Sequence, residues 1–170
     1  MSYHIYTTKG IVLAEQPRRE SDRIYSVLTR EFGLIRIFAL GVRKEASKLR
    51  GALEPFKLSL ISLIRGKEHW RITSAESIQN IPALPTIARP LVLLEKLVQG
   101  EAPHPELFDT VEDAITRFKI YDLGFKNEKW EIELVSKILF HLGYLKEEDL
   151  TLGKKDLVKA INEGIQASHL

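Results

Sequence analysis

The chain has 170 residues, of which 44% are hydrophobic, enough for a real core in one ordinary domain or in two small ones. It contains no cysteine, which excludes disulfides, iron–sulfur clusters, thiolate zinc sites and cysteine nucleophiles. The first ten residues hold no basic region followed by an apolar stretch, so the sequence predicts neither a secreted nor a membrane-embedded protein.

The net charge of +2 conceals an uneven distribution of charge along the chain. Residues 1–80 carry 14 Lys and Arg against 8 Asp and Glu, whereas residues 81–170 carry 11 against 15. An excess of positive charge in one half is typical of a unit that binds a polyanion. We therefore expect two units with different partners, the first being the candidate for binding nucleic acid.

The first 80 residues alternate between apolar and polar residues as short strands do. Five strands are predicted, over residues 10–15, 23–29, 34–40, 57–64 and 70–78, and the connectors between them contain Gly, Pro or clustered charges. In the third strand Ile35, Ile37 and Ala39 share one side, and Arg36 and Phe38 lie on the other. Five strands in about 80 residues, with one long connection after the third, match a small Greek-key barrel of the OB type.

The long connection, residues 41–55, is strongly basic in its first part. Within residues 41–50 there are four cations, Arg43, Lys44, Lys48 and Arg50, against the single acid Glu45. Burying four unpaired cations would be too costly, so this loop must face water or a polyanion. It is either a solvated surface loop or a loop that binds phosphates. Many such barrels have a helix here, but we expect at most a short helical turn.

After residue 80 the apolar residues recur at helical spacing. Four helices are predicted: over residues 86–99, from Pro105 to about Phe118, over 128–142 and over 154–167. Pro90 is expected in or near the first turn of the first helix, and Gly143 is expected to cap the third. The predicted fold class is α+β, with an OB-fold DNA-binding domain over residues 1–80 followed by a helical domain over 81–170.

No residue pattern indicates catalysis or metal binding. The five histidines are scattered, and the glycines do not form a phosphate-binding motif. The acids Glu20 and Asp22 could be a carboxylate pair, but we expect them to cap a turn and to pair with Arg18, Arg19 or Arg23. We therefore predict that the protein is not an enzyme and that it uses no metal and no cofactor.

Aromatic residues are interleaved with the basic ones in the first 80 residues: Tyr25, Phe32, Phe38, Phe56 and Trp70. Aromatic side chains beside a cationic groove are how OB barrels hold single strands. Core packing is the alternative for each of them, and we favour it for Phe38 and Phe56.

Five short motifs occur in one order: GIVL, ESDRI, LTREFG, ALGVRK and SKLRGALEPF. In this order and spacing the chain resembles the N-terminal region of the bacterial RecO family, recombination mediators of DNA repair. The similarity continues more weakly through LLEKLVQGEAPHPELFDTV and WEIELVSKILFHLGY, so it spans roughly residues 9–145.

The resemblance implies a protein that binds single- and double-stranded DNA, anneals complementary strands and, with the ring-forming partner RecR, helps RecA displace single-strand-binding protein. The family's DNA contact lies on the basic face of the barrel, which here implies Arg36, Arg43, Lys44, Lys48 and Arg50. Its helical domain also engages the acidic C-terminal tail of single-strand-binding protein. Many relatives carry a Cys-rich zinc module, so we expect a short form without it, located in the cytoplasm with the nucleoid.

Two other functions are consistent with the residues alone. The protein could be an adaptor that docks repair partners through its acidic helical half, with DNA contact secondary. It could also be an OB-fold RNA-binding protein, which competition between DNA and RNA strands of equal sequence would distinguish.

Overall fold

A computed structural model describes residues 4–82, 84–118 and 127–170. The chain divides into two compact units. The barrel unit comprises Met1–Ala83 and Gln99–Pro105, and the helical unit comprises Leu84–Val98 and Glu106–Leu170. The domain division at residue 80, with its assignment of DNA binding to the first domain, stays a prediction.

Five strands form the sheet of the barrel unit: β1 (Ile5–Pro17), β2 (Arg23–Thr29), β3 (Gly33–Ala39), β4 (Lys57–Arg65) and β5 (Trp70–Asn80). Their order is β1-β2-β3-β5-β4, and β4 also pairs with β1, so the sheet closes on itself as a barrel. All pairs are antiparallel except the short parallel pair between β3 and β5. The predicted OB-type barrel followed by helices is therefore confirmed.

The interior of the barrel is filled by the side chains that the alternation placed on one side of each strand. In β3, Ile35, Ile37 and Ala39 are fully buried, whereas Arg36 between them is exposed. Strand β1 is longer than predicted because it begins at Ile5 and pairs with β4 along its first half. Strand β1 also pairs with β2 from Gly10 to Pro17, with a register shift between Val12 and Ala14.

The tight turn between β2 and β3 depends on Gly33. Its φ of +69° lies in the left-handed region, and a Cβ there would stand 2.2 Å from the carbonyl oxygen of Ala102. Thr29 closes the turn, since its hydroxyl donates to the Gly33 carbonyl at 2.9 Å and accepts from the Phe32 N–H at 3.1 Å. The 99–105 segment therefore packs closely on the β2–β3 turn.

The helical unit contains α1 (Pro85–Leu97), α2 (Pro105–Arg117), α3 (Asn127–His141) and α4 (Lys154–Ala167), with a 3-10 turn at Glu147–Thr151. Helix α3 packs against both α1 and α4. Pro90 lies inside α1 rather than in its first turn, where its ring is buried with Ile87 and Leu94. Gly143 follows α3 with a φ of +81°, as its predicted capping role requires.

Candidate nucleic-acid interface

The β3–β4 loop (residues 40–56) is held in place by a few apolar side chains. Val42 and Leu53 are buried in the barrel core, and Leu49 packs against it. The loop contains one 3-10 turn, Arg50–Ala52, which confirms the expectation of at most a short helical turn. These three apolar side chains point inward, whereas the basic side chains of the loop are exposed to solvent.

Hydrogen bonds join the start of this loop to the β1–β2 loop (residues 18–22). Gly41, with a φ of +61°, donates its N–H to the buried carboxylate of Asp22 at 2.8 Å. The Arg43 N–H donates to the Ser21 carbonyl at 3.1 Å, and the Arg43 guanidinium donates to the Glu20 carbonyl at 3.1 Å. The basic β3–β4 loop and the β1–β2 loop that carries Arg18 and Arg19 are therefore neighbours in space.

The far end of the β3–β4 loop is tied to the sheet. The Phe56 N–H donates to the Val12 carbonyl at 2.8 Å, and the Ser59 hydroxyl donates to the Ala52 carbonyl at 2.6 Å. Lys57 donates to the Gly51 carbonyl and pairs with Glu54 at 2.8 Å. With both ends fixed, the loop presents its cations from a defined backbone.

A cavity of about 250 Å³ lies between this loop and strands β1 and β2. Its charged lining consists of three guanidinium groups and two carboxylates, contributed by Arg23, Arg43, Arg50, Glu15 and Glu54. Tyr25 also lines the cavity. The burial of its side chain and, to a smaller extent, the negative charge of Glu15 raise the pKa of its phenol to about 12. The cavity is thus net positive, with a neutral hydroxyl group at neutral pH.

The five residues that sequence analysis assigned to DNA binding are all exposed in the barrel unit. Arg43 and Arg50 meet at the cavity, and Lys44 follows Arg43 on the same turn. Lys48 lies in the next turn, where the Leu49 N–H donates to the Ser47 hydroxyl at 3.3 Å. Arg36 does not line the cavity, because it projects from the outer face of β3 opposite Ser26. The assignment itself stays a prediction.

Arg18 connects Arg36 to this group. Its guanidinium carbon lies 4.1 Å from the centroid of the Phe38 ring, which is two residues from Arg36 on the same side of β3. The β1–β2 loop that carries Arg18 also carries the carbonyl groups that hold Arg43. Arg18 thus lies against the outer side of β3 that also carries Arg36, and it belongs to the loop that holds Arg43.

These cations are not neutralised by the protein's own acids. Among the residues that the structure describes, none of Arg36, Arg43, Lys44, Lys48 and Arg50 lies within 4.0 Å of a carboxylate. The predicted ion pairs of Glu20 or Asp22 with Arg18, Arg19 or Arg23 are also wrong, because none of them is present among the described residues. Asp22 instead accepts the Gly41 N–H, 19 residues along the chain, so it joins two loops and is not a cap of its own turn.

The aromatic residues do not form an open stacking surface. The rings of Tyr25, Phe38 and Trp70 are buried. Tyr6 packs edge-to-face on Phe32 and Trp70, and Phe32 lies tilted on Trp70, with ring centroids 4.9–5.5 Å apart. For Tyr25 and Trp70 the core-packing alternative is therefore the correct one. Arg18 and Arg23 are not among the predicted site residues, although the density of arginine in PRRESDR is a signal that points to them.

A second candidate site is a groove of about 480 Å³ in the helical unit, between α3, the 3-10 turn and α4. Apolar side chains of Ile132, Leu150, Leu152 and Leu157 line its floor. Its charged lining consists of Lys129 and of two ion pairs, Lys137–Glu133 and Lys154–Glu128. Leu152 keeps 40% of its surface exposed, so its side chain is accessible to a ligand in the groove.

Other kinds of site are not found in the described ranges. No group of three or more His, Asp or Glu side chains there is arranged to hold a metal ion. Within the same ranges, every helix is too short or too polar to cross a membrane.

Comparison with known proteins agrees with the motif order noted above. Residues 1–81 match the family model described as "Recombination protein O N terminal". The chain is 33% identical over 149 residues to the DNA repair protein RecO of Trichodesmium erythraeum, covering 81% of this chain and 51% of that protein. It is 32% identical over 127 residues to the RecO of Myxococcus xanthus, covering 70% and 52%.

A shorter and closer match is to the RecO of Synechococcus sp. strain JA-2-3B'a(2-13), 42% identical over 95 residues, or 49% of this chain and 33% of that protein. The chain thus spans about half or less of the length of the curated relatives it matches.

Proposed function

Since this chain belongs to the bacterial RecO family, we propose that it is a DNA-binding recombination mediator of DNA repair. Its barrel binds the phosphates of single- and double-stranded DNA through the β1–β2 and β3–β4 loops. Contacts to phosphates leave the base edges of a single strand unoccupied. A bound strand can then pair with its complement, which is how a protein without catalytic groups accelerates annealing.

One observation carries this proposal: the exposed cations of the two loops lie together, and none of the five assigned residues pairs with a carboxylate in the described part of the barrel. Each Lys or Arg that neutralises a phosphate releases condensed counterions, and this release drives binding that does not depend on base sequence. Cations already paired with carboxylates would release fewer. The two loops are therefore the part of the barrel best suited to a DNA backbone.

The first experiment measures the affinity for a single strand as a function of salt concentration. If about four phosphates are neutralised, log K falls with log salt at a slope near −3, from about −0.7 per phosphate. Replacing Arg43, Lys44, Lys48 and Arg50 together by Ala is expected to flatten this slope and to weaken binding to all sequences alike.

The matched control removes four cations of the helical unit, in the variant Arg117→Ala, Lys137→Ala, Lys154→Ala and Lys159→Ala. It changes the net charge by the same amount but removes residues that pair with Asp113, Glu133, Glu128 and Glu163. We expect the salt slope of this control to match that of the parent chain. Equal slopes for the loop variant and the parent would refute the assignment of the site.

Annealing and partner binding are finer parts of the same proposal. The protein is expected to speed the pairing of complementary strands coated with single-strand-binding protein, and the loop variant is expected to lose this activity. With RecR present, it is expected to help RecA replace single-strand-binding protein on the strand. RecA filament formation that is unchanged by adding the protein and RecR would contradict the last step.

The groove of the helical unit favours an adaptor function beside DNA binding. Its apolar floor, and the Lys129 ammonium on its rim, which pairs with no acid among the described residues, suit a peptide with an acidic group and an apolar end, such as the C-terminal tail of single-strand-binding protein. Leu152→Asp is expected to abolish binding of a labelled tail peptide. Val92→Asp, at an apolar residue of α1 with similar exposure outside the groove, is the control that should retain binding.

A further inference from the structure

Three elements of the barrel converge on the Phe38 ring. Arg18 of the β1–β2 loop places its guanidinium over the ring, with its central carbon 4.1 Å from the ring centroid. The His69 ring, just before β5, lies 4.3 Å away at an interplanar angle of 41°. Phe38 itself is in β3, paired with Ile24 of β2 and Arg71 of β5.

Phe38 projects from the outside of the barrel, because its neighbours Ile37 and Ala39 point into the core and are fully buried. A phenyl ring on the outer face of a barrel would ordinarily be exposed, yet Phe38 keeps only 8% of its surface accessible. Arg18 and His69 supply part of the cover. Both of these residues are themselves exposed, so the outer side of the stack is open to solvent.

A second cation–ring pair in the barrel unit is different in kind. Arg65 lies 4.8 Å from the Trp70 ring, but its guanidinium also donates to both carboxylate oxygens of Glu101, at 2.7 and 3.0 Å. Its charge is therefore satisfied within the unit. The Arg18 guanidinium has no carboxylate within ion-pair distance among the described residues. Of the two pairs, only the Arg18 pair is available to a ligand.

We propose that the Arg18 guanidinium, held over Phe38, is a platform on which one base of a single strand stacks. This inference rests on the proposed DNA-binding function and adds a contact to a base. OB barrels bind oligonucleotides on the face of strands 2 and 3 and on the loops between strands 1 and 2 and between strands 4 and 5, and these elements meet here. Guanidinium planes stack on unpaired bases, which a duplex does not offer.

In this arrangement Phe38 is a positioning residue, because the base meets Arg18 and Phe38 fixes the orientation of the guanidinium. The exposed Arg36 and Arg71 flank the ring along β3 and β5 and suit the phosphates on either side of the stacked nucleotide.

The test compares Arg18→Lys with Arg65→Lys. Each variant keeps a positive charge and removes a guanidinium that lies over a ring, but the Arg65 guanidinium is already paired with Glu101. The probes are an oligo-dT strand of about 16 nucleotides and an abasic strand of the same length. We expect Arg18→Lys to bind oligo-dT about fivefold more weakly than the parent and to bind the abasic strand equally well. Arg65→Lys should match the parent on both strands.

A second variant, Phe38→Leu, removes the ring while keeping an apolar side chain. Its thermal unfolding is measured first, and it should show the same selective loss on oligo-dT. Equal losses on both strands for Arg18→Lys would mean a phosphate contact only and would overturn the platform, as would no loss on either. If the parent chain binds the strands, either of these outcomes refutes only the stacking platform, and the proposed DNA-binding function is retained. If the parent chain binds neither strand, the DNA-binding function and the platform are both refuted.

Discussion

The barrel unit and the helical unit use their cations in different ways. Among the described residues of the helical unit, six basic residues pair with acids of the same unit, in the pairs Arg89–Glu131, Arg117–Asp113, Lys137–Glu133, Lys146–Glu148, Lys154–Glu128 and Lys159–Glu163. In the described barrel, the exposed cations of the β1–β2 and β3–β4 loops have no such partner. The residue types are the same, but their surroundings differ.

This difference has little effect on the stability of the barrel unit but a large one on its ability to bind a polyanion. Exposed ion pairs contribute about 0–1 kcal/mol each, so the barrel loses little stability by leaving its loop cations unpaired. What it gains is a positive potential on one surface, which attracts a polyanion from a distance. Net charge alone would not reveal this, because the two units largely cancel each other in the total of +2.

The largest expected effect tests whether the β3–β4 loop is a fixed support for its cations. Leu53 is fully buried, so Leu53→Ala is expected to lower the unfolding free energy of the barrel by about 3 kcal/mol. Urea unfolding followed by the fluorescence of Trp70, in a background where Trp130 is replaced by Phe, measures it. A loss below about 0.5 kcal/mol would mean that the loop is not anchored through the core.

A charge-reversal pair compares the two units directly. The double variant Lys44→Glu, Lys48→Glu removes two proposed phosphate contacts. At 0.1 M salt this loss is expected to weaken binding to a single strand about 25-fold. The same reversal at Lys137 and Lys159 changes the net charge equally and should leave the affinity within about twofold. The comparison fails if both double variants weaken binding to the same extent.

The junction of the two basic loops should be sensitive to Asp22. Asp22→Ala deletes the acceptor of the Gly41 N–H and is expected to cost about 1.5 kcal/mol of barrel stability. Asp22→Asn keeps an acceptor oxygen in place and should cost less than half as much. Identical urea midpoints for the parent and the Ala variant would show that this hydrogen bond does not hold the loops together.

The smallest effect is expected where cations are already paired. Lys137 bonds to Glu133 one helical turn away at 2.7 Å, an arrangement worth about 0.4 kcal/mol. Lys137→Ala should therefore shift the thermal midpoint of the helical unit only slightly. A loss above about 1.5 kcal/mol would assign the pair a structural role that its exposure does not suggest.

Local patterns in the sequence were sufficient for most of the secondary structure. The alternation of Ile35, Ile37 and Ala39 gave the inner face of β3, and the spacing of apolar residues gave α4 with its observed bounds. The start of β1 was missed because residues 5–9 resemble an exposed segment, and only pairing with β4 makes them a strand.

The candidate site could be predicted only in part, because its assembly depends on contacts between distant residues. The loop cations were visible as a basic run, but the bond between Gly41 and Asp22 joins positions 19 residues apart. The position of Arg18 over Phe38 likewise follows from the strand order of the closed barrel. For Tyr25 and Trp70, composition could not distinguish a ring that stacks on bases from one packed in the core.

The close approach of Ala102 to Gly33 has a consequence for how the chain matures. The barrel unit is discontinuous, because the last piece that packs on it is synthesised after the whole of α1. During translation, the β2–β3 hairpin must therefore wait for residues 99–105 to emerge from the ribosome before its packing is complete. A fragment truncated near residue 80 would also lack the partner of Arg65, Glu101, and would expose a hairpin that the longer polypeptide covers.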